Sequence, residues 1–248
     1  MADPRTLPRL PTRRLPLARS MATAARWPVG VALTSWRYMW RTTPIYRSEE
    51  PGCWPEEAPP PLPDGLLDEE VQRLRHGVGP LFHRRYLAHI LRPLLSPEEL
   101  MARLQRNPDD AAPSEFATFK KAAGDVDRIR ARDEYVVRMP GPWDGPVRVF
   151  EVSPRSFGLM TLAGHLEAGQ IVFRATGGED WIEFEIESWA RSGDRLSDLL
   201  YDRLRMSKEV QLHMWTSFLE RVIRLSGGTR AGGLRIDTRR VEEVSIAD

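Results

Sequence analysis

The sequence predicts an α+β domain in which a curved antiparallel sheet grips a long C-terminal helix. Two observations carry this prediction. From Asp133 to Ser188 apolar residues alternate with a period of two in short segments joined by Pro- and Gly-rich turns. From Asp194 to Leu225 the spacing changes to that of one amphipathic helix, with Met206, Val210, Met214, Phe218 and Val222 four apart and Leu199, Leu212, Trp215 and Leu219 widening the stripe. A sheet with one dry face needs a cover, and a closing helix of this length can cross it. If the sheet curls around that helix, a cavity opens between them.

Taken in order, residues 1–28 are rich in Arg and Pro and lack periodicity, which predicts a disordered extension. Val29–Trp40 is compatible with a short helix ended by Pro44. Residues 44–66 carry seven prolines, which remove backbone donors and fix φ, so the segment is expected to lie as an irregular strap over the core. Gly79–Ile90 reads as a strand. Ser96-Pro97-Glu98-Glu99 is a helix start: serine caps, proline occupies the first turn and Glu99 completes a capping box. Leu100, Met101 and Leu104 supply the buried face, and Asn107-Pro108 ends the helix. A second short helix is expected from Ser114, with Phe116 and Phe119 on one side. Strands then follow at Glu134–Met139, Val147–Val152, Phe157–Leu162, Gln170–Ala175 and Trp181–Ser188. Their short connections require antiparallel neighbours. In the last, Ile182, Phe184 and Ile186 alternate with Glu183, Glu185 and Glu187, so one face packs and the other meets water. Asp194 caps the closing helix, Gly227-Gly228 stops it, and Leu234–Ile236 is a candidate short strand. The expected organisation is an extension over 1–28, one domain over 29–240 and a flexible tail over 241–248.

Composition narrows the function classes. With 248 residues, 41% hydrophobic and 29% charged, the chain has the makings of an ordinary globular protein. A net charge of +1 supplies no global field for nucleic acid. No window approaches the roughly 18 apolar residues of a membrane helix. Cys53, the one cysteine, excludes an internal disulfide and a cysteine-based zinc site, and fits a cytoplasmic place. Thr12-Arg13-Arg14-Leu15 has the look of a twin-arginine export signal, but Arg19, Arg26 and Pro28 interrupt the apolar run that should follow. Residues 1–20 are therefore read as an extension, with Met21 as an alternative start. His76, His83, His89 and His213 lack metal-ligand spacing, and no glycine pair belongs to a phosphate loop. No metal or cofactor is expected.

Several motifs carry a family resemblance. They are Ser35–Arg41, Pro113–Phe116, Arg138–Pro146, Gly164–Gln170 and Ser188–Ser192. Together they resemble an uncharacterised bacterial domain-of-unknown-function family, number one-nine-nine-zero, which is similar to the START-like, pollen-allergen-like helix-grip superfamily (SRPBCC). The resemblance spans about Val29 to Val241. It implies the helix-grip fold and a tendency to hold hydrophobic ligands. It transfers no catalytic residues, and fold alone assigns no function.

Candidate site residues each have two readings. His165 and Glu167, on a Gly-flanked loop, could act as acid and base or could cap turns. Trp143 and Asp144, in the rigid Pro140–Pro146 loop, form a pocket lid or shield a core edge. Arg138, with Tyr135 and Glu151, either marks a polar cavity floor through an Arg138–Glu151 pair or lies on the wet face. Lys208, Gln211 and Trp215 edge a cavity or border the apolar stripe. Ile186, Met214 and Trp215 are the apolar wall of a ligand site. Trp27, Trp36, Tyr38 and Trp40 among Arg26, Arg37 and Arg41 suit a membrane interface or docking on the domain itself. Three function classes follow. The first is a module binding a small hydrophobic molecule between sheet and helix. The second is an enzyme using polar groups in the same cavity. The third is an interaction protein, such as a homodimer through the Trp-rich segment.

Overall fold

The computed structural model describes residues 6–7, 44–51, 58–113, 117–125, 127–138, 144–193 and 206–241. The strands are β1 (Thr6–Leu7), β2 (Ile45–Pro51), β3 (Val78–Leu91), β4 (Thr118–Asp125), β5 (Glu134–Arg138), β6 (Asp144–Ser153), β7 (Ser156–Thr161), β8 (Glu167–Gly177), β9 (Trp181–Ser192), β10 (Thr229–Arg230) and β11 (Leu234–Val241). Two α-helices are described, α1 (Pro97–Arg106) after β3 and α2 (Met206–Ser226) after β9. One sheet runs in the order β1-β4-β5-β6-β7-β8-β9-β3-β11-β2, and β10 pairs with the end of β3. Strands β4 to β9 form an antiparallel meander, and β3 closes it by pairing with β9. A first strand beside the last, a helical insertion, a meander and one long helix against its inner face make a helix-grip fold.

Local chemistry explains the elements. The Ser96 hydroxyl accepts from the Glu99 amide at 3.2 Å, and the Glu99 carboxylate accepts from the Ser96 amide at 2.8 Å, so α1 starts at the predicted box. Leu100, Met101 and Leu104 are fully buried beneath it. Gly227, at φ 72°, ends α2 in the left-handed conformation that glycine adopts freely. Gly169 lets β8 bend tightly onto β9, since a Cβ there would sit 2.0 Å from the Trp189 carbonyl oxygen.

On the inner face, Ile182, Phe184 and Ile186 of β9 are fully buried and belong to one core with Phe157, Phe173, Phe218, Leu219 and Val222. The Phe157 and Phe173 rings stack at 4.6 Å. Phe218 lies 5.5 Å from Phe173 and 6.4 Å from Phe184, which fixes α2 across the sheet.

Several expectations need correction. The outer face is not uniformly wet: residues 58–77 lie over it and bury Phe150, Met160, Val172 and Trp189 against Leu66, Val71 and Leu74. Arg148, itself buried, clamps this strap by donating to Glu134 at 2.8 Å, to the Leu66 carbonyl at 3.1 Å and to Asp68 at 2.9 Å. The proline-rich stretch is not wholly irregular either. Ile45–Pro51 pairs parallel with β11 as an edge strand, with Pro51 at its end, where a missing donor does least harm. Phe119 sits on a strand rather than a helix, because Thr118–Ala123 finds a partner in β5. Leu234–Ile236 grows into the eight-residue β11, which takes the free edge of β3. Thr6–Leu7, inside the expected extension, pair antiparallel with Gly124–Asp125. The expected Val29–Trp40 helix, the Ser114 helix start and the Asp194 cap lie outside the described residues.

Candidate functional site

Register places the inner-face side chains in rows across β3, β9 and β8. The deepest rows are Ala88–Phe184–Ala175 and Tyr86–Ile186–Phe173. All six residues are at most 2% exposed, so this end of the space between sheet and helix is filled. The next row is Arg84–Ser188–Ile171, and the one beyond is Phe82–Ala190–Gly169. Bulky groups on β9 and β8 thus give way to serine, alanine and glycine. Ile171 and Ser188 are only half-buried, as are Val137 on the neighbouring β5 and Trp215 on the helix above. Met214 and Ala117 are buried in a small cluster of their own, with Val137 and Trp215 packed against it. Trp215 and Phe173 meet in a T-shaped contact at 5.7 Å, between the fully buried rows and the row of Ser188. Along β8 and β9 the inner-face side chains thus become smaller toward the Gly169–Ala190 pair, where Phe82, Arg84 and Ala190 are themselves buried.

This end of the inner face also carries charge. By alternation with Tyr86, Arg84 faces inward, and it is 6% exposed. Its guanidinium lies 4.6 Å from the centre of the Phe82 ring, and that of Arg240, opposite Phe82 on β11, lies 5.9 Å from the same ring. Glu167 pairs with Ser192 two residues beyond the Gly169–Ala190 pair, which puts it on the same face. Tyr86 feels these groups. Burial pushes its hydroxyl up to about 12, with Arg84 opposing and Glu167 adding to the rise.

The predicted residues fall in different places. Ile186 belongs to a fully buried row, Met214 is buried with Ala117, and Trp215 packs half-buried against that cluster. His165 and Glu167 are neighbours without forming an acid–base pair. The His165 Nδ1 accepts from the Glu167 backbone amide at 2.9 Å, and its ring lies against Gly145, whose Cβ position would be 3.0 Å from Nε2. Burial holds the His165 imidazole below its ordinary value, against the opposing pull of Glu167. A neutral ring with its proton on Nε2 fits that geometry. Arg138 is exposed and alternates with inward Val137, so it faces away from the helix. Glu151 accepts instead from Ser156 at 3.2 Å, so of the two readings the Arg138–Glu151 cavity floor is the one not seen. Strand alternation around the Val149–Glu151 bulge hid this outcome. Trp143 and the side chains of Lys208 and Gln211 lie outside the described residues.

Sequence reasoning missed Arg84, Ser188, Ala190 and Arg240. Their signal was available in the even positions of β3, Phe82-Arg84-Tyr86-Ala88-Ile90, which form one face. It also missed a polar ladder on the outer face. There Glu187 bonds His83 Nε2 at 2.8 Å and is gripped by Arg174, while His83 stacks on Trp189 at 5.0 Å. Arg85 meets Glu185 at 2.6 Å. Burial raises the Glu187 carboxyl, but its hydrogen bonds from His83 and Arg174 outweigh that and hold it below the ordinary value. A cleft of about 100 Å³ runs from His83 and Arg85 to Asp237, Arg239 and Ser48. Among the described residues no group of three or more His, Cys, Asp or Glu is placed to hold a metal ion, and no helix is long and apolar enough to cross a membrane.

No protein-family model matches the chain, and no curated protein matches its sequence. Among solved structures, norcoclaurine synthase from Thalictrum flavum, in complex with dopamine and hydroxybenzaldehyde, is similar over 64% of this chain and 94% of that one, at 11% identity and a TM-score of 0.40. A protein from Arthrobacter aurescens covers 64% of this chain and 90% of its own, at 13% identity and a TM-score of 0.41. A hypothetical protein from Helicobacter pylori is similar over 57% of this chain and 86% of its own, at 7% identity and a TM-score of 0.40. Likeness at this level carries no argument about function, and the fold assignment rests on element and strand order.

Proposed function

We propose that this chain is a binding module for a small, largely apolar molecule held between the inner sheet face and α2, at the Ser188 end. The observation that carries the reading is the change in side-chain size along β8 and β9. Phe173, Phe184 and Ile186 fill one end to complete burial, while at the other the inner-face residues shrink to Ser188, Ala190 and Gly169 and Ile171, Ser188 and Trp215 are only half-buried. Concave sites of this kind hold ligands chiefly by apolar burial, with a few polar groups fixing orientation. The resemblance to the uncharacterised bacterial helix-grip family points the same way, and the single cysteine accords with a cytoplasmic place. An acid–base role for His165 with Glu167 has less support, because the histidine spends its Nδ1 on backbone. Association of two copies plays no part in this reading.

The test is a fluorescence titration with the neutral apolar dye N-phenylnaphthylamine. Saturable binding at one site is expected, lost in Ser188→Phe, which fills the space, without loss of the folded state. Native mass spectrometry of protein from its own host should show a co-purifying small molecule. Absence of saturable dye binding, or a Ser188→Phe variant that binds as well as the parent, would overturn the proposal.

A further inference from the structure

We propose that the groove between the end of α1 and the last turns of α2 binds a compact phosphate ester, at a site other than the apolar one above. The groove has a volume of about 340 Å³ and is lined by Arg103, Asp110, Arg221, Arg224 and Leu225. Three guanidiniums and one carboxylate thus meet there, in a chain whose net charge is only +1. Like charges gathered in one groove repel, and an anion between them relieves that cost.

The three arginines differ in what holds them. Arg221 is anchored by donation from Nη1 to the Ala112 carbonyl oxygen at 2.7 Å. Arg103 donates from Nε to Asp110 at 3.4 Å, a long contact, and its side chain is 48% exposed. Asp110 also accepts from the Asn107 side-chain amide at 2.7 Å, so its charge is shared. Arg224 is exposed in the last turn of α2, and among the described residues no carboxylate lies in ion-pair reach of it. A helix C-terminus by itself favours one cation, but it does not bring Arg103 of another helix to the same groove. A phosphate ester carries close to two negative charges at neutral pH and three acceptor oxygens. It can therefore offset three guanidiniums that share one carboxylate, and take forked hydrogen bonds from Arg103 and Arg224 together. Leu225 is the one apolar member of the lining, so the rest of the ligand is small and polar.

The test titrates the full chain, labelled with nitrogen-15, with glycerol 3-phosphate at pH 7.5 and fixed low salt, following the arginine Nε–H signals by NMR. The Arg103 and Arg224 signals should shift saturably, and acetate at the same concentrations should leave them in place. Arg103→Gln and Arg224→Gln should each weaken binding at least about threefold, the scale of an exposed charge pair. Both positions are exposed, so neither change threatens the fold. Asp110→Asn, which removes the competing carboxylate, should strengthen binding. Absence of a saturable shift would overturn the proposal. Equal weakening by Arg138→Gln, at an exposed position on β5, would also overturn it, by reducing the effect to net charge. A chain that ignores glycerol 3-phosphate but sediments with phosphatidate vesicles would replace the small ester by a lipid surface and overturn it as well.

Discussion

Glu134→Ala should destabilise the domain by about 2–3 kcal/mol, through a charge left behind. Arg148, with its side chain 6% exposed, donates to Glu134 from Nε at 3.0 Å and from Nη2 at 2.8 Å. Glu134 is also buried, so this is the dry part of the clamp. Asp68 and Glu70 complete it at 2.9 and 3.4 Å, but their side chains are 47% and 42% exposed, and water screens what they contribute. Removing one partner of a buried pair costs about 3–5 kcal/mol when nothing else meets the stranded charge. The retained Asp68 contact and the Leu66 carbonyl lower that figure here. The check is urea unfolding of the parent, Glu134→Ala, Arg148→Met and the double variant. In the Arg148→Met background the Glu134→Ala cost should fall to within about 0.5 kcal/mol of zero, since the group it strands is gone. The strap over residues 58–77 should also become a preferred site of proteolysis in Glu134→Ala, because Arg148 holds Leu66 and Asp68. A Glu134→Ala cost that is equally large without Arg148 would refute the stranded-charge account and leave simple lost packing.

Ser96→Ala should cost about 1 kcal/mol, measured by the same unfolding, because it removes the cap and half of a reciprocal box. Glu187 gives a pH signature. Its carboxyl is lower folded than unfolded, so its contribution is present above the ordinary value of 4.5 and is lost as pH falls through the folded value. Glu187→Gln should therefore be less stable than the parent at neutral pH, and the gap should close in acid; a gap that stays constant would refute the assignment. His165, also lowered, contributes above 6.5 and loses that contribution as pH falls further. Heteronuclear NMR of its imidazole should show the neutral Nε2–H tautomer and a midpoint below 6.5, and a midpoint at or above 6.5 would remove the burial argument.

Much of the architecture was legible because it depends on local rules. The Ser96 box, the Gly227 stop and the alternation of Ile182, Phe184 and Ile186 are decided within a few residues of chain. Short turns then forced β5 to β9 into a meander. Phe119 was misread because three-residue spacing of aromatics fits a helix, and its strand partner, Val137, lies eighteen positions on. The row beside the filled core was illegible for the same reason. Ser188, Arg84 and Ile171 become one row only when β3, β9 and β8 are laid side by side, and their separation in the chain says nothing of that.

The amino-acid order by itself determined the β5 to β9 meander, the start of α1 and the apolar stripe of the closing helix, since periodicity and capping act over one or two turns. Tertiary structure decided which face each charge occupies. It turned Arg138 out, brought Arg84 in, laid the strap over the outer face and tied His165 to backbone. Those outcomes follow from long-range register and from the cost of leaving a buried charge without company, and neither is written in any single stretch of the chain.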